Sequence, residues 1–316
     1  MEQNRIQYNV QHIVKDLIPI INDIVSVDRW QRNPWSNSDN FSVYYNGGST
    51  EIIYYCDNIN EDGTKVYKSN NSLIEYNFNK DGFRTENFKN IDNKKINILT
   101  AGCSNTFGQS MPEKYLWSNI LKNNFNKDNI QLYNLGISGL DTARIISNCY
   151  NFINIYGKPD YLFLLLPPIQ RSLVLNKNKE MHTRQEPLFV RNMDDFVKNM
   201  FKNKSKLPIF LYNNLIHLVN LETFCSINNI KLIWHSWDSN AQAIYQNCSF
   251  KNNISNEEVY NEIQNIINLY KKENNEILFN PLWEFAEDND HQGLKWHTAW
   301  ANVFYKKAEH YDNFRN

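Results

Sequence analysis

Residues 96–110 read INILTAGCSNTFGQS, and the change of character within this run decides how the chain is folded. Ile96 to Ala101 is a short apolar run of the kind that forms a strand buried on both faces. Gly102, Cys103 and Ser104 break it, and mostly small and polar residues follow. A strand that stops in a tight turn and continues as a helix exposes one residue at the sheet edge, and here that residue is Ser104. The next helix aims its free N–H groups at the same point. A serine in that position is either a helix N-cap or a nucleophile, and a nucleophile needs a base from elsewhere in the chain.

Downstream, apolar runs alternate with helical patterns. YLWSNILKNNF (residues 115–125) carries Leu116, Ile120 and Leu121 at helical spacing, and IQLYNLG is a second strand. TARIISNCYNFINIY sets Ile145, Cys149, Phe152 and Tyr156 along one helical face. DYLFLLLPP and KLIWHSW are the third and fourth strands. NEEVYNEIQNIINLYKK aligns Val259, Ile263, Ile266 and Tyr270, and HTAWANVFYKKAEHY closes the chain as a helix. This alternation predicts an α/β fold, a three-layer α/β/α sandwich around a parallel sheet. In such a sheet the strand C-terminal ends carry the site. Between the third and fourth strands lies an insertion at about residues 170–208, long for a connection. It is polar from Arg171 to Lys206, and Leu211, Leu215, Leu218 and Phe224 beyond it fit one helical face. The insertion is either a lip over the site or a surface excursion.

Upstream the pattern differs. Asp16 to Val25 reads as a short helix started or broken at Pro19. FSVYYNGGSTEIIYY (residues 41–55) places two β-rich runs around Asn46-Gly47-Gly48, a hairpin signal. Strand-like segments follow, with a turn at Asp81-Gly82. Residues 1–92 are therefore expected to be a β-rich N-terminal section, and residues 93–316 the α/β domain.

The totals narrow the function. The 316 residues are 41% hydrophobic and 21% charged, with a net charge of −1, so neither nucleic acid nor a charged membrane is an expected partner. Five cysteines without CxxC spacing argue against a disulfide framework or a zinc site. No His pair or phosphate-loop glycine pattern indicates a metal or another cofactor. No leading apolar segment or membrane-length run is present, so a cytoplasmic location is the default expectation.

The base for Ser104 is sought near the C-terminus, in AEDNDHQGLKWHTAW. Asp288 precedes His291 by three residues, which lets the carboxylate bond one imidazole nitrogen while the other faces a nucleophile. Glu287 and Asp290 are competing carboxylates, and His297 reads as a helix-start residue.

Together these segments resemble the SGNH (GDSL-type) hydrolases. AGCSNTFGQ resembles their first block, NLGISGLDT the second, and DNDH the last, Asp-x-x-His; the likeness runs over about residues 95–310. YNFNKDGFRTENF also resembles an Asn…Gly-Phe-Arg lead-in seen in some members. The α/β-hydrolase GxSxG elbow is missing. The resemblance implies Ser104 as nucleophile, His291 as general base and Asp288 as its orienter. It implies an oxyanion hole from the N–H groups of Ser104 and Gly139, with Gly136 as the alternative to Gly139. The family's third block, Gly-x-Asn-Asp, is not matched: the strand runs into LLLPPIQRS, with Ile169 at the Asn position. Gln170 or Arg171 is then the expected third donor.

Three functions are weighed. The first is a serine esterase cleaving an acetyl or short-acyl ester, on a small molecule or a glycan. The second, motivated by the missing Asn, is a binding or structural protein on the same scaffold, with the N-terminal section as its assembly surface. The third is an acyltransferase using the same triad. Cys103 is a rival nucleophile, since a thiolate would also benefit from the helix N-terminus.

Overall fold

The computed structural model describes residues 33–45, 50–168, 171–175, 181–184, 207–239, 241–242, 253–272 and 280–313. The chain divides into two compact units, Met1–Gln31 and Arg32–Asn316, and every described residue belongs to the second. The expected helix at Asp16–Val25, the turn at Asn46–Gly48, and Ile169 and Gln170 lie outside the described residues.

Four strands form the main sheet: β5 (Ile96–Gly102), β6 (Ile130–Asn134), β7 (Tyr161–Leu166) and β10 (Lys231–Ser236). Their order across the sheet is β10-β7-β5-β6, and each neighbouring pair is parallel. In order of occurrence this is 2-1-3-4, the doubly wound flavodoxin-like arrangement, whose direction of winding reverses between the first and third strands. Here that switch point falls between β5 and β7, so the end of β5 opens into the crevice where such sheets bind ligands.

Helices cover both faces. α2 (Trp117–Asn124), α5 (Asn256–Lys272) and α6 (Leu294–Asn313) pack together, while α3 (Thr142–Tyr156) packs against α4 (Leu207–Ile227). Alternate strand residues feed the two layers: Ile98, Phe163, Leu165 and Ile233 join the cluster with Trp117, Ile263 and Trp300. On the other face, Trp234 Nε1 donates to Glu222 of α4 at 3.1 Å. All six residues of β7 are buried, which is why its sequence is apolar throughout.

Upstream, β1 (Asn40–Tyr45), β2 (Thr50–Ile59), β3 (Lys65–Lys68) and β4 (Tyr76–Phe78) form an antiparallel sheet in sequential order. Asn40 pairs with Tyr55 and Tyr45 with Thr50, so the two β-rich runs do pair as a hairpin. Its inner face is an aromatic core of Phe41, Tyr54, Tyr67, Tyr76 and Phe78, and this core also takes in Phe107.

One helical face differs from its expected composition. α4 buries Asn214, Leu218, Leu221 and Cys225, while Leu215 and Phe224 are only partly buried. Its sequence is apolar on every side, so periodicity alone did not define the inward face. The insertion also holds two short strands, β8 (Ser172–Leu175) and β9 (Met181–Arg184), paired antiparallel.

Candidate active site

Ser104 opens α1 (Ser104–Phe107), a single turn with no side-chain cap from Cys103 and a left-handed Gly108 at its C-cap. The turn is so close to the sheet that Gly102 admits no side chain: a Cβ there would lie 2.1 Å from Thr106 Oγ1 and 2.5 Å from the Leu165 carbonyl. The Ser104 carbonyl accepts the Gly108 and Gln109 N–H groups at 2.8 and 3.0 Å, which fixes its backbone. Ser104 is 5% exposed, with Oγ 4.0 Å from Cys103 Sγ. The fully buried Cys103 sulfur accepts a hydrogen bond from Trp237 Nε1 at 3.1 Å. Asn105 beside it is buried, with neither amide atom partnered among the described residues.

The loop after β6 is pressed onto this turn. Asn134 Nδ2 donates to the Thr106 carbonyl at 2.9 Å, and its Oδ1 accepts the Gly136 N–H at 2.8 Å. A Cβ on Gly136 would lie 2.3 Å from the Phe107 nitrogen, so that glycine is a contact point with the serine's helix. Gly139 differs: it has φ +80° and open space where a Cβ would be. Its N–H takes no partner among the described residues. Ser138 Oγ donates to Gln109 Oε1 at 2.7 Å, joining this loop to the chain just past Ser104.

β7 ends before Pro167 and Pro168. Arg171 follows, buried, and its N–H donates to the Pro168 carbonyl at 3.0 Å. Its Nη1 donates to the Leu140 carbonyl at 3.4 Å, and the guanidinium carbon lies 5.9 Å from the Trp237 ring centroid. Arg171 thus reaches both the Gly139–Leu140 loop and the tryptophan that covers Cys103.

The remaining groups come from the loop before α6. Asp288 is fully buried, and its Oδ2 accepts from His291 Nδ1 at 2.7 Å. An ionised carboxylate only accepts, so Nδ1 carries the hydrogen, and in the neutral ring Nε2 is then the acceptor. Asp288 Oδ1 accepts the Asp290 and His291 N–H groups, both at 3.0 Å. Burial pushes the Asp288 carboxyl upward, but hydrogen bonds and charge from His291 outweigh it and hold it below its ordinary range. The neighbouring carboxylates are engaged otherwise. Glu287, raised chiefly by burial, accepts from Ser72 Oγ at 2.7 Å, while Asp290 is exposed. The Glu287 N–H donates to the Ser110 carbonyl at 3.0 Å, tying this loop to the chain six residues past Ser104. Among the described residues, no hydrogen bond joins Ser104 Oγ to His291.

His297 lies in the first turn of α6, where its Nδ1 accepts the Trp117 N–H at 3.0 Å and caps α2. Burial, reinforced by the nearby His291, pushes it down to about 3, so it is a neutral acceptor. Among the described residues no group of three or more His, Cys, Asp or Glu side chains could hold a metal, and no helix is long and apolar enough to cross a membrane. The residues missed from sequence are Trp237, Gln109 and Tyr76, none of which carries a local signal of its placement.

Fold and site define an α/β protein with a doubly wound parallel sheet, a sheltered serine at its switch point, and an Asp–His pair on a loop whose Glu287 N–H bonds the chain just past that serine. No protein-family model matches the chain, and no curated protein sequence does. Solved structures are similar to it. The psychrotrophic esterase EstA from Pseudoalteromonas sp. is 14% identical over 69% of this chain and 100% of that one, with a TM-score of 0.35. A member of the lipolytic protein G-D-S-L family from Veillonella parvula DSM 2008 is 14% identical over 68% and 96%, with a TM-score of 0.28. LAE5, an alpha/beta hydrolase enzyme from the metagenome of Lake Arreo, is 15% identical over 67% and 94%, with a TM-score of 0.35.

Proposed function

We propose that this protein is a serine ester hydrolase of the SGNH type, with residues 93–316 as the hydrolase domain. The observation that carries the reading is the 2.7 Å bond from His291 Nδ1 to the buried Asp288, on a loop bonded to Ser110. In this reading Nε2 is the base for Ser104. Histidine takes the Ser104 proton as Oγ attacks the ester carbonyl. The Ser104 and Gly139 N–H groups receive the oxyanion, with Arg171 or Gln170 as the third donor. His291 then protonates the leaving alcohol, and water enters by the same steps in reverse to free Ser104. Asp288 stabilises the imidazolium throughout and does not take its proton. A serine only 5% exposed, with Trp237 over its neighbour Cys103, suits an acetyl or short acyl group, including one carried by a carbohydrate.

The test is hydrolysis of p-nitrophenyl acetate by the wild type and Ser104→Ala. The expected result is a kcat loss on the order of 10⁶ with folding unchanged. A folded Ser104→Ala protein with wild-type activity defeats the assignment.

A further inference from the structure

Arg84 is 1% exposed, and such enclosure is rare for an arginine unless a carboxylate pairs with it. Among the described residues no carboxylate lies within ion-pair distance of it. Its two Nη atoms go to main-chain carbonyls instead, Nη1 to Gly108 at 2.7 Å and Phe107 at 3.4 Å and Nη2 to Glu75 at 3.0 Å, while Nε has no partner among the described residues. Its guanidinium lies 4.5 Å from the Tyr76 ring centroid. Two of those carbonyls belong to the end of the serine's helix. Gly108, held by Arg84, donates in turn to the Ser104 carbonyl. A single backbone hydrogen bond therefore separates the guanidinium from the serine's own peptide.

Tyr76 supplies a second tie. Its ring stacks on Phe107 at 5.6 Å and 7°, and its hydroxyl accepts the Ser110 N–H at 2.9 Å. Ser110 has φ +58°, a left-handed conformation that costs a non-glycine residue about 1 kcal/mol and must be held by its surroundings. Its carbonyl accepts the Glu287 N–H, next to Asp288. Arg84, in the loop after β4, and Tyr76 of β4 thus grip both ends of one short path: Gly108, which leads back to Ser104, and Ser110, which leads on to Asp288 and His291.

The geometry points to Arg84 and Tyr76 as positioning residues that set the separation of Ser104 from His291, so β4 and the loop after it help to shape the site. The inference rests on the reading of Ser104 as nucleophile. Neither residue acts on the substrate: Arg84 works through Gly108, and Tyr76 through Ser110. A guanidinium is needed because one group must reach three carbonyls in fixed directions while sitting over a ring, and an ammonium cannot do both.

The experiment compares Arg84→Lys, Tyr76→Phe and the wild type for kcat and KM on p-nitrophenyl acetate, with thermal unfolding alongside. Ile266→Ala, a buried change on α5, serves as a control for lost stability alone. The expected result is a kcat loss of about 10²-fold for Arg84→Lys and about tenfold for Tyr76→Phe, with KM within about threefold. Ile266→Ala should keep its kcat at a comparable loss of melting temperature. If Arg84→Lys does not fold, Tyr76→Phe, which deletes one oxygen, decides the matter. An active wild type whose folded variants keep kcat within about threefold overturns this inference alone. An inactive wild type defeats the parent reading and this one with it.

Discussion

Asp288→Asn tests the Asp–His pair with the least change in shape. In the wild type, Oδ1 accepts two N–H groups at 3.0 Å and Oδ2 accepts from His291 Nδ1 at 2.7 Å. An asparagine amide has one acceptor atom and one donor atom. If the NH2 faced the two backbone N–H groups, donors would meet donors in a fully buried site. The oxygen therefore stays with the backbone and the NH2 turns to His291. Nδ1 must then become the acceptor, the hydrogen moves to Nε2, and the imidazole can no longer take the serine proton. A wrong tautomer of this kind costs about 10⁴ in kcat, close to 5.5 kcal/mol of transition-state stabilisation. The fold loses one charge-assisted bond, about 1–3 kcal/mol. Steady-state hydrolysis of a short p-nitrophenyl ester and thermal unfolding of the same sample measure both. A folded Asp288→Asn protein within tenfold of the wild-type kcat refutes the reasoning, the more so if Asp290→Asn or Glu287→Gln proves more damaging.

Gly136→Ala should lower stability by about 1–3 kcal/mol and reduce kcat, because its new methyl would sit 2.3 Å from the Phe107 nitrogen and push the serine's helix; denaturant unfolding at matched pH checks the first effect. Stability should also fall with acidification. His297 is pushed down to about 3 and His235 to about 4, both chiefly by burial, so each stays neutral in the fold while the unfolded chain takes up a proton below about 6.5. Their full contribution is present above that pH and is lost on descending toward 4 and 3, at up to about 1.4 kcal/mol per pH unit for each. His297→Asn keeps an acceptor for the Trp117 N–H and should roughly halve that slope; an unchanged slope in urea titrations at several pH values would show that His297 is not the source.

Much of the sheet was legible because its physics is local. β7 is apolar throughout because both faces are covered, and α5 shows Val259, Ile263 and Ile266 as a buried stripe, with Glu262 buried beside them. α4 was legible as a helix but not as a face, since it is apolar all round. The candidate site was legible as three short segments, because a turn, a close-approach glycine and an Asp-x-x-His loop each have local requirements. Asp288 was preferred over Glu287 and Asp290 on its spacing to His291, but the competing bond that occupies Glu287 comes from Ser72, a residue distant in sequence. Arg84 stands in the Gly-Phe-Arg stretch noted in the sequence, but its enclosure was not legible there. In sequence it is a polar residue beside a glycine turn, and its enclosure comes from Tyr76, Phe107 and Gly108, which only the packing of the two sheets brings together.

The central claim is that Ser104 is an activated nucleophile. The most direct measurement is mass spectrometry of the folded protein after brief exposure to a fluorophosphonate, with peptide mapping of the adduct. The account expects one phosphonyl group, on the peptide containing Ser104, formed rapidly in the wild type and not at all in Ser104→Ala. Its rate should fall together with ester hydrolysis in Asp288→Asn. No adduct on the folded wild type, or an adduct on Cys103 that survives in Ser104→Ala, would contradict it.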